Sequence, residues 1–281
     1  MPSLTDQVGH WTEIKEKIIE EYFPAYTKIL NKQQVIRKFI YIDAFAGPGE
    51  HLSRKTGELV KGSPLRALET KPQFSHYFFI ELDQRKAQQL RDKVAERKDV
   101  TILQGDCNKL LLEEVFPQCR YEAYCRALCF LDPYKLNLNW EVVETAGKMK
   151  SIEIFLNFMM MDANRNVLWK NPDLVPEDQI KRMNAVWGDS SWRESAYKEQ
   201  KSLFTDMDKL LKQPNIEVAK AYKKRLQKIA GYKHVLDPIP MKNTRSATIY
   251  YLFFASNNDK GASIMRSIFK KYRAAGIIYG N

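Results

Sequence analysis

An α/β fold on a mostly parallel sheet with a helical insertion is predicted by three observations. From residue 36 to residue 162, apolar runs of strand length alternate with amphipathic runs of helix length. The apolar runs are hydrophobic throughout rather than at every second position, as strands covered on both faces are. The first run ends in "DAFAGPGE", an acid followed by two glycines one residue apart, and such sheets bind ligands at the carboxyl ends of their strands.

The elements follow in order. Residues 4–33 carry Trp11, Ile14, Ile18, Tyr22, Tyr26 and Ile29 at helical spacing, broken by Pro24, which predicts helix, turn and helix. "RKFIYIDAF" is the first buried strand. After a polar loop, "KGSPLRALE" places Ser63 at a helix cap and Pro64 at the first helical position. "HYFFIELD" is the second strand and "QRKAQQLRDKVAERK" an amphipathic helix; "VTILQGD" is the third strand, with "CNKLLLEEVF" a short helix after it. "RALCFLDPY" is the fourth strand, "WEVVETAGKMK" a helix and "IEIFLNFMMM" the fifth strand. Residues 163–231 are polar and helical by pattern. The sheet resumes with "KHVLDPIPM" and "SATIYYLFFAS", and "GASIMRSIFKKYRAA" is a final helix. The predicted organisation is N-terminal helices (1–35), a Rossmann-like core (36–162), a helical insertion (163–231) and the closing strands and helix (232–281).

Composition narrows the class. A formal net charge of +11 over 281 residues favours a polyanionic partner such as nucleic acid, with a solvated lysine surface as the alternative. "IEIFLNFMMM" and "ATIYYLFFA" are the longest apolar stretches, well short of the roughly 20 residues that span a bilayer. With no apolar leader at the N-terminus, a cytoplasmic protein without membrane contact is expected. Cys107, Cys119, Cys125 and Cys129 fit reduced thiols, and their spacings match no standard zinc pattern, so no metal is expected.

The glycine turn constrains the ligand. A phosphate loop ends in Gly-Lys-Ser/Thr, whereas Gly49 is followed by Glu50 and His51. A dinucleotide fingerprint has a third glycine where Leu52 stands. An acid before the glycines suits a cationic ligand, and S-adenosylmethionine carries an ammonium and a sulfonium. Asp43, Gly47 and Gly49 would then border its methionine end, where glycine permits close backbone approach. Glu81, ending the second strand, would accept both ribose hydroxyls. Asp106, after the third, would accept from the adenine amine, and Ser63 would help bind the carboxylate. The plainer alternatives are a tight turn at the glycines and helix caps at Ser63 and Asp106.

These residues also carry a family resemblance. "YIDAFAGPG", "KGSPLRALE", "FFIELD", "GDCN", "CFLDPYKL", "IFLNFMMMDANRN" and "YYLFFASN" together resemble the three-Cys-motif partner family, a bacterial group related to class I S-adenosylmethionine-dependent methyltransferases. The glycine turn, long loop and "GSPL" also resemble the ribosomal-RNA adenine methyltransferase that modifies an exocyclic amine. The resemblance implies a Rossmann-like methyltransferase fold, its sheet mostly parallel with the last strand antiparallel, and, as a partner, a three-Cys-motif protein.

"LDPY" at the end of the fourth strand is similar to the D/N-P-P-Y/F motif of amino-methyltransferases, with one proline missing and the aromatic one residue closer. In that motif the acid and a proline carbonyl orient a substrate amine, and the ring stacks on a flipped base. Asp132, Pro133 and Tyr134 are therefore the candidate reacting set, against a plain turn in which Tyr134 packs. "MDANRN" leaves the fifth strand on the ligand side, and "KNTRS" enters the last strand from the same side. This makes Asn164, Arg165, Lys242 and Arg245 candidate substrate contacts. The basic helix with Lys223, Lys224, Arg225 and Lys228 has a nucleic-acid backbone or plain solvent as its alternatives. Two functions compete: a methyltransferase acting on an exocyclic amine of a nucleic acid, and a non-catalytic module supporting a three-Cys-motif protein.

Overall fold

The computed structural model describes residues 7–8, 10–53, 56–200 and 209–274. Its apolar runs pair into one sheet because each sends alternate side chains into two apolar layers. Ile40, Ile42, Phe78, Ile80 and Cys129 enter one layer; Tyr41, Tyr77, Phe79 and Phe130 enter the other. The strands are β1 (Lys38–Asp43), β2 (His76–Glu81), β3 (Val100–Gln104), β4 (Cys125–Leu131), β5 (Ile152–Phe158), β6 (His234–Val235), β7 (Ile239–Lys242) and β8 (Thr248–Ser256). Their order is β3-β2-β1-β4-β5-β8, with β6 and β7 both on the outer edge of β8. The first five are parallel and β8 runs antiparallel to β5, as the sequence predicts. The interruption between β6 and β7 contains Pro238, which cannot donate to a ladder and is tolerated on an edge.

One face of the sheet is covered by α1 (His10–Asn31), α2 (Ser63–Glu69), α3 (Gln84–Lys93) and α10 (Asp259–Ala274). The other is covered by α4 (Cys107–Leu110), α5 (Trp140–Met149), α6 (Met160–Asn166), α7 (Glu177–Trp187), α8 (Trp192–Ala196) and α9 (Asn215–Lys228). The order in which strands are added reverses between β1 and β4, so the crevice belongs at their carboxyl ends.

Four local expectations need correction. Residues 10–31 form one helix, with Pro24 inside it rather than at a turn. The apolar stripe runs through the proline: Tyr22, Phe23, Tyr26 and Leu30 are all buried, and that packing outweighs a cost of about 3 kcal/mol for an internal proline. Residues 4–6 of the predicted helix lie outside the described residues. β5 stops at Phe158, and Met160 and Met161 already belong to α6. The segment 163–231 is not purely helical, because Tyr197–Gln200 pairs with Lys209–Lys212 in an antiparallel ribbon. Finally, "CNKLLLEEVF" is a single turn of α-helix continued by a π-turn and a 3-10 turn.

A buried carboxylate at the amino end of β5 makes stability depend on pH. Glu153 is 6% exposed and accepts the Tyr22 hydroxyl at 2.6 Å. Burial pushes its carboxyl up to about 7, against the opposing hydrogen bonds from Tyr22, Ser256 and Asn258. Because the folded value lies above the unfolded one, its contribution is complete below about pH 4.5 and is lost as pH rises through about 7. Glu16, also pushed to about 7 by burial, acts in the same direction. The wild-type melting temperature should therefore fall between pH 5 and 8, and Glu153→Gln should flatten that fall. A variant with an unchanged slope would show that Glu153 is not the titrating group.

Candidate active site

Register sets the depth of each strand-end acid. Asp43 pairs with Phe79 on β2 and Phe130 on β4, so Glu81 and Asp132 stand two residues further toward the ligand edge. Asp43 is consequently beneath the crevice and fully buried. It accepts the Phe45 N–H at 3.2 Å and the Tyr41 hydroxyl at 3.3 Å. Burial raises its carboxyl to about 6, opposed by hydrogen bonds from Ser63 and Phe45. Ser63 is not the cap of α2: Gly62 occupies that position, and Ser63 turns its hydroxyl toward Asp43. Asp43 and Ser63 thus brace the backbone under the turn.

The turn itself needs its glycines. Gly47 and Gly49 have φ of +64° and +85°, the left-handed region that side chains disfavour. A Cβ on Gly49 would also lie 2.9 Å from Leu90 of α3. This conformation aims the Gly47 N–H at Glu81 Oε2, 2.8 Å away, while Oε1 accepts the Asp83 N–H at 2.9 Å. Glu81 is 6% exposed, each of its oxygens is anchored by one backbone donor, and each keeps a lone pair for a ligand. The glycine turn and Glu81 are one unit.

Glu81 borders a cleft of about 670 Å³ together with Phe45, Asp106, Asn108, Tyr134 and Asn137. Asp106 does cap α4, accepting from the Asn108 N–H at 3.0 Å, and it also lines the cleft. Asn108 donates to the Asn137 carbonyl and accepts the Asn139 N–H, pinning the loop after β4 to the cleft wall. Tyr134 is 56% exposed and lines this cleft, with the Lys86 ammonium 5.6 Å from its ring centre. It therefore lines the same cavity as Glu81 and Asp106.

Asp132 sits elsewhere along the edge, in company that the sequence reading missed. Lys15 of α1 donates to Oδ2 and Asn157 of β5 donates to Oδ1. The Lys15 side chain is 4% exposed and that of Asp132 28%; the Lys15 ammonium also lies 5.1 Å from the Phe130 ring centre. Both partners had legible signals. Lys15 stands on the apolar stripe of α1, four residues after Trp11 and four before Ile19, and Asn157 is polar in a strand that is otherwise almost wholly apolar.

The candidate substrate contacts are not brought to the cleft. Asn164 donates to Asn215 Oδ1 at 3.1 Å and accepts from Lys212 at 2.8 Å, tying α6 to the insertion. Arg165 and Arg245 are exposed, and Lys242 is half-buried at the end of β7. Pairing of Tyr251 with Phe158 does put the start of β8, and hence the 243–247 turn, at the ligand edge. In the basic helix α9, Arg225 lies against the rings of Trp140 and Trp187 and pairs with Asp189, and Lys223 pairs with Asp237. Those two charges serve the fold. All four cysteines are buried and unbridged. Among the described residues no helix is long and apolar enough to cross a membrane.

No family model matches the chain, and no curated protein does. Solved structures do. Protein LPL1258 from Legionella pneumophila is similar over 97% of this chain and 93% of its own, at 12% identity and a TM-score of 0.53. A S-adenosylmethionine-dependent methyltransferase from Clostridium acetobutylicum is similar over 85% of this chain and 91% of its own, at 10% identity and a TM-score of 0.41. Likeness at this identity concerns the fold. With an antiparallel strand set beside β5 in a sheet ordered β3-β2-β1-β4-β5-β8, that fold is Rossmann-like and of the methyltransferase type.

Proposed function

We propose that this chain is an S-adenosylmethionine-dependent methyltransferase acting on an exocyclic amine of a nucleic acid. The observation that carries the reading is Glu81, buried at the end of β2, anchored to the glycine turn and facing Asp106 across an open cleft. Two carboxylates so placed suit a nucleoside: Glu81 for the ribose hydroxyls and Asp106 for the adenine amine. The cleft is large enough for that half of the cofactor, and Phe45 and Tyr134 give it apolar walls. When bound, the cofactor supplies a methyl group activated on a sulfonium. Asp43 and Ser63 hold the turn, Gly47 and Gly49 allow close approach to the methionine end, and Asp132 with Pro133 forms the acceptor end. In this assignment Tyr134 contacts the nucleoside of the cofactor and not a flipped base.

The nucleic-acid acceptor is supported by the net charge of +11 and by Arg165, Lys242 and Arg245 near the ligand edge. One observation favours the competing reading of a non-catalytic module that supports a three-Cys-motif protein: Asp132 is already paired with Lys15. Calorimetric titration with S-adenosylmethionine and S-adenosylhomocysteine separates the two. Micromolar binding is expected, and ligand at about 100-fold over the dissociation constant should add roughly 2.7 kcal/mol of stability. No heat and no melting shift at millimolar ligand would leave the supporting-module reading in its place.

A further inference from the structure

Granted the methyltransferase reading, we infer that the acceptor end of the crevice takes a neutral N–H donor and rejects an alkylammonium. Asn157 Oδ1 receives the acceptor's hydrogen, and Lys15 sets the preference. Asp132 begins the argument. An amine-orienting carboxylate works by offering charge and lone pairs to the incoming nitrogen, but both oxygens of Asp132 already accept, one from Lys15 and one from Asn157. The Lys15 ammonium cancels the charge. It cannot readily swing out, because α1 is fastened to the sheet by Ile14, Ile18, Ile19 and Tyr22, all buried.

Asn157 supplies what Asp132 has given up. An ionised carboxylate only accepts, so the amide must point its NH₂ at Asp132, and this fixes the orientation of the other end. The carbonyl oxygen is then an acceptor in a side chain 1% exposed, and it has no hydrogen-bond partner. Leaving such a group unmatched is costly, and a bound donor would recover that cost. The Tyr250 hydroxyl, close to Asp132, is committed elsewhere: it donates to the Trp11 carbonyl at 3.3 Å. Of the other charges close to the Lys15–Asp132 pair, Glu16 is paired with Arg66, and Asp43 is fully buried and held by the Phe45 N–H and the Tyr41 hydroxyl.

The result is a neutral ion pair beside an unmatched carbonyl. A neutral amine or amide, such as a nucleobase exocyclic amine, satisfies that oxygen without adding charge. A lysine side chain or polyamine would bring a second ammonium next to Lys15 with no carboxylate left to balance it, and unpaired charge in such a place is strongly disfavoured. Asp132, partly exposed, is the way in from solvent, and the Asn157 oxygen behind it is enclosed until an acceptor enters.

Binding of small probes tests this without a known acceptor. The side-chain amide resonance of Asn157, identified by its loss in Asn157→Ala, reports the site in nitrogen-edited NMR. In the wild-type protein acetamide is expected to shift it at lower concentration than methylammonium. In Lys15→Met, which frees the carboxylate, methylammonium should bind at least about ten-fold more tightly than in wild type and reverse that order. Lys15→Gln, which keeps an N–H donor on Asp132 without the charge, should show the same reversal and serves if the methionine variant misfolds. Methylammonium binding wild type as well as acetamide does, no reversal in either variant, or no shift with either probe would each overturn the inference. Cofactor titration of the same samples is independent: reversal without cofactor binding would keep the selectivity and remove the methyltransferase reading.

Discussion

Glu81→Ala is expected to weaken S-adenosylmethionine binding by about 100-fold, with the fold intact. Hydrogen bonds to a charged acceptor are worth about 1.5–3 kcal/mol each, and the substitution removes acceptors for two ribose hydroxyls. It also frees the Gly47 N–H, so the turn that should receive the methionine end loses its anchor. At the low end of that range the two hydroxyl bonds alone correspond to roughly 3 kcal/mol, or two powers of ten in affinity, and the loss of the anchor acts in the same direction. Asp106→Ala should cost less, about ten-fold, because its substrate would be a single adenine amine and Asn108 beside it can partly replace it. Calorimetry on both variants decides the matter. An affinity within about three-fold of wild type for Glu81→Ala would mean that the cleft binds something other than a nucleoside.

The parts of this arrangement that were legible in the sequence are those governed by short-range rules. Strand ends announce themselves when an apolar run stops at an acid, and Glu81 after "HYFFI" could be assigned for that reason. Gly47 and Gly49 were legible because positive φ leaves few alternatives. Depth was not legible. Asp43 and Glu81 look equivalent as strand-end acids, yet the stagger of β1 against β2 sinks Asp43 beneath the floor and leaves Glu81 at the wall. Stagger is set by packing across the whole sheet. The place of Tyr134 on the cleft wall was not legible for a similar reason: the loop it sits on is pinned by Asn108 from another element, and nothing in "LDPY" encodes that partner. Pro24 misled because a local rule was overruled by an apolar stripe running on both sides of it. The partnership of Lys15 with Asp132 spans 117 residues, and no local pattern could have joined them.

That partnership carries the second large effect. Asp132→Ala removes the counter-charge of an ammonium whose side chain is 4% exposed, and breaking a buried pair from one side costs about 3–5 kcal/mol. Because Asp132 is itself partly exposed, a loss of about 2–3 kcal/mol is expected, which for a chain of this size lowers the melting temperature by roughly 5 °C or more. Lys15→Met should cost less than Asp132→Ala. The charge it strands is the more exposed one, and water can solvate the carboxylate where it cannot reach the ammonium. The double variant Lys15→Met with Asp132→Ala should recover much of the loss, since no charge is then left behind. Melting curves for the four proteins give the coupling directly. If the double variant loses the sum of the single losses, Lys15 and Asp132 do not form a pair, and the acid would be free to hold an acceptor amine by itself. If the cycle shows strong coupling, loss of methyl transfer in Asp132→Ala cannot be assigned to a direct role of the carboxylate. The stability-restored double variant then becomes the proper test of whether the chemistry needs an acid at this position or only the amide of Asn157.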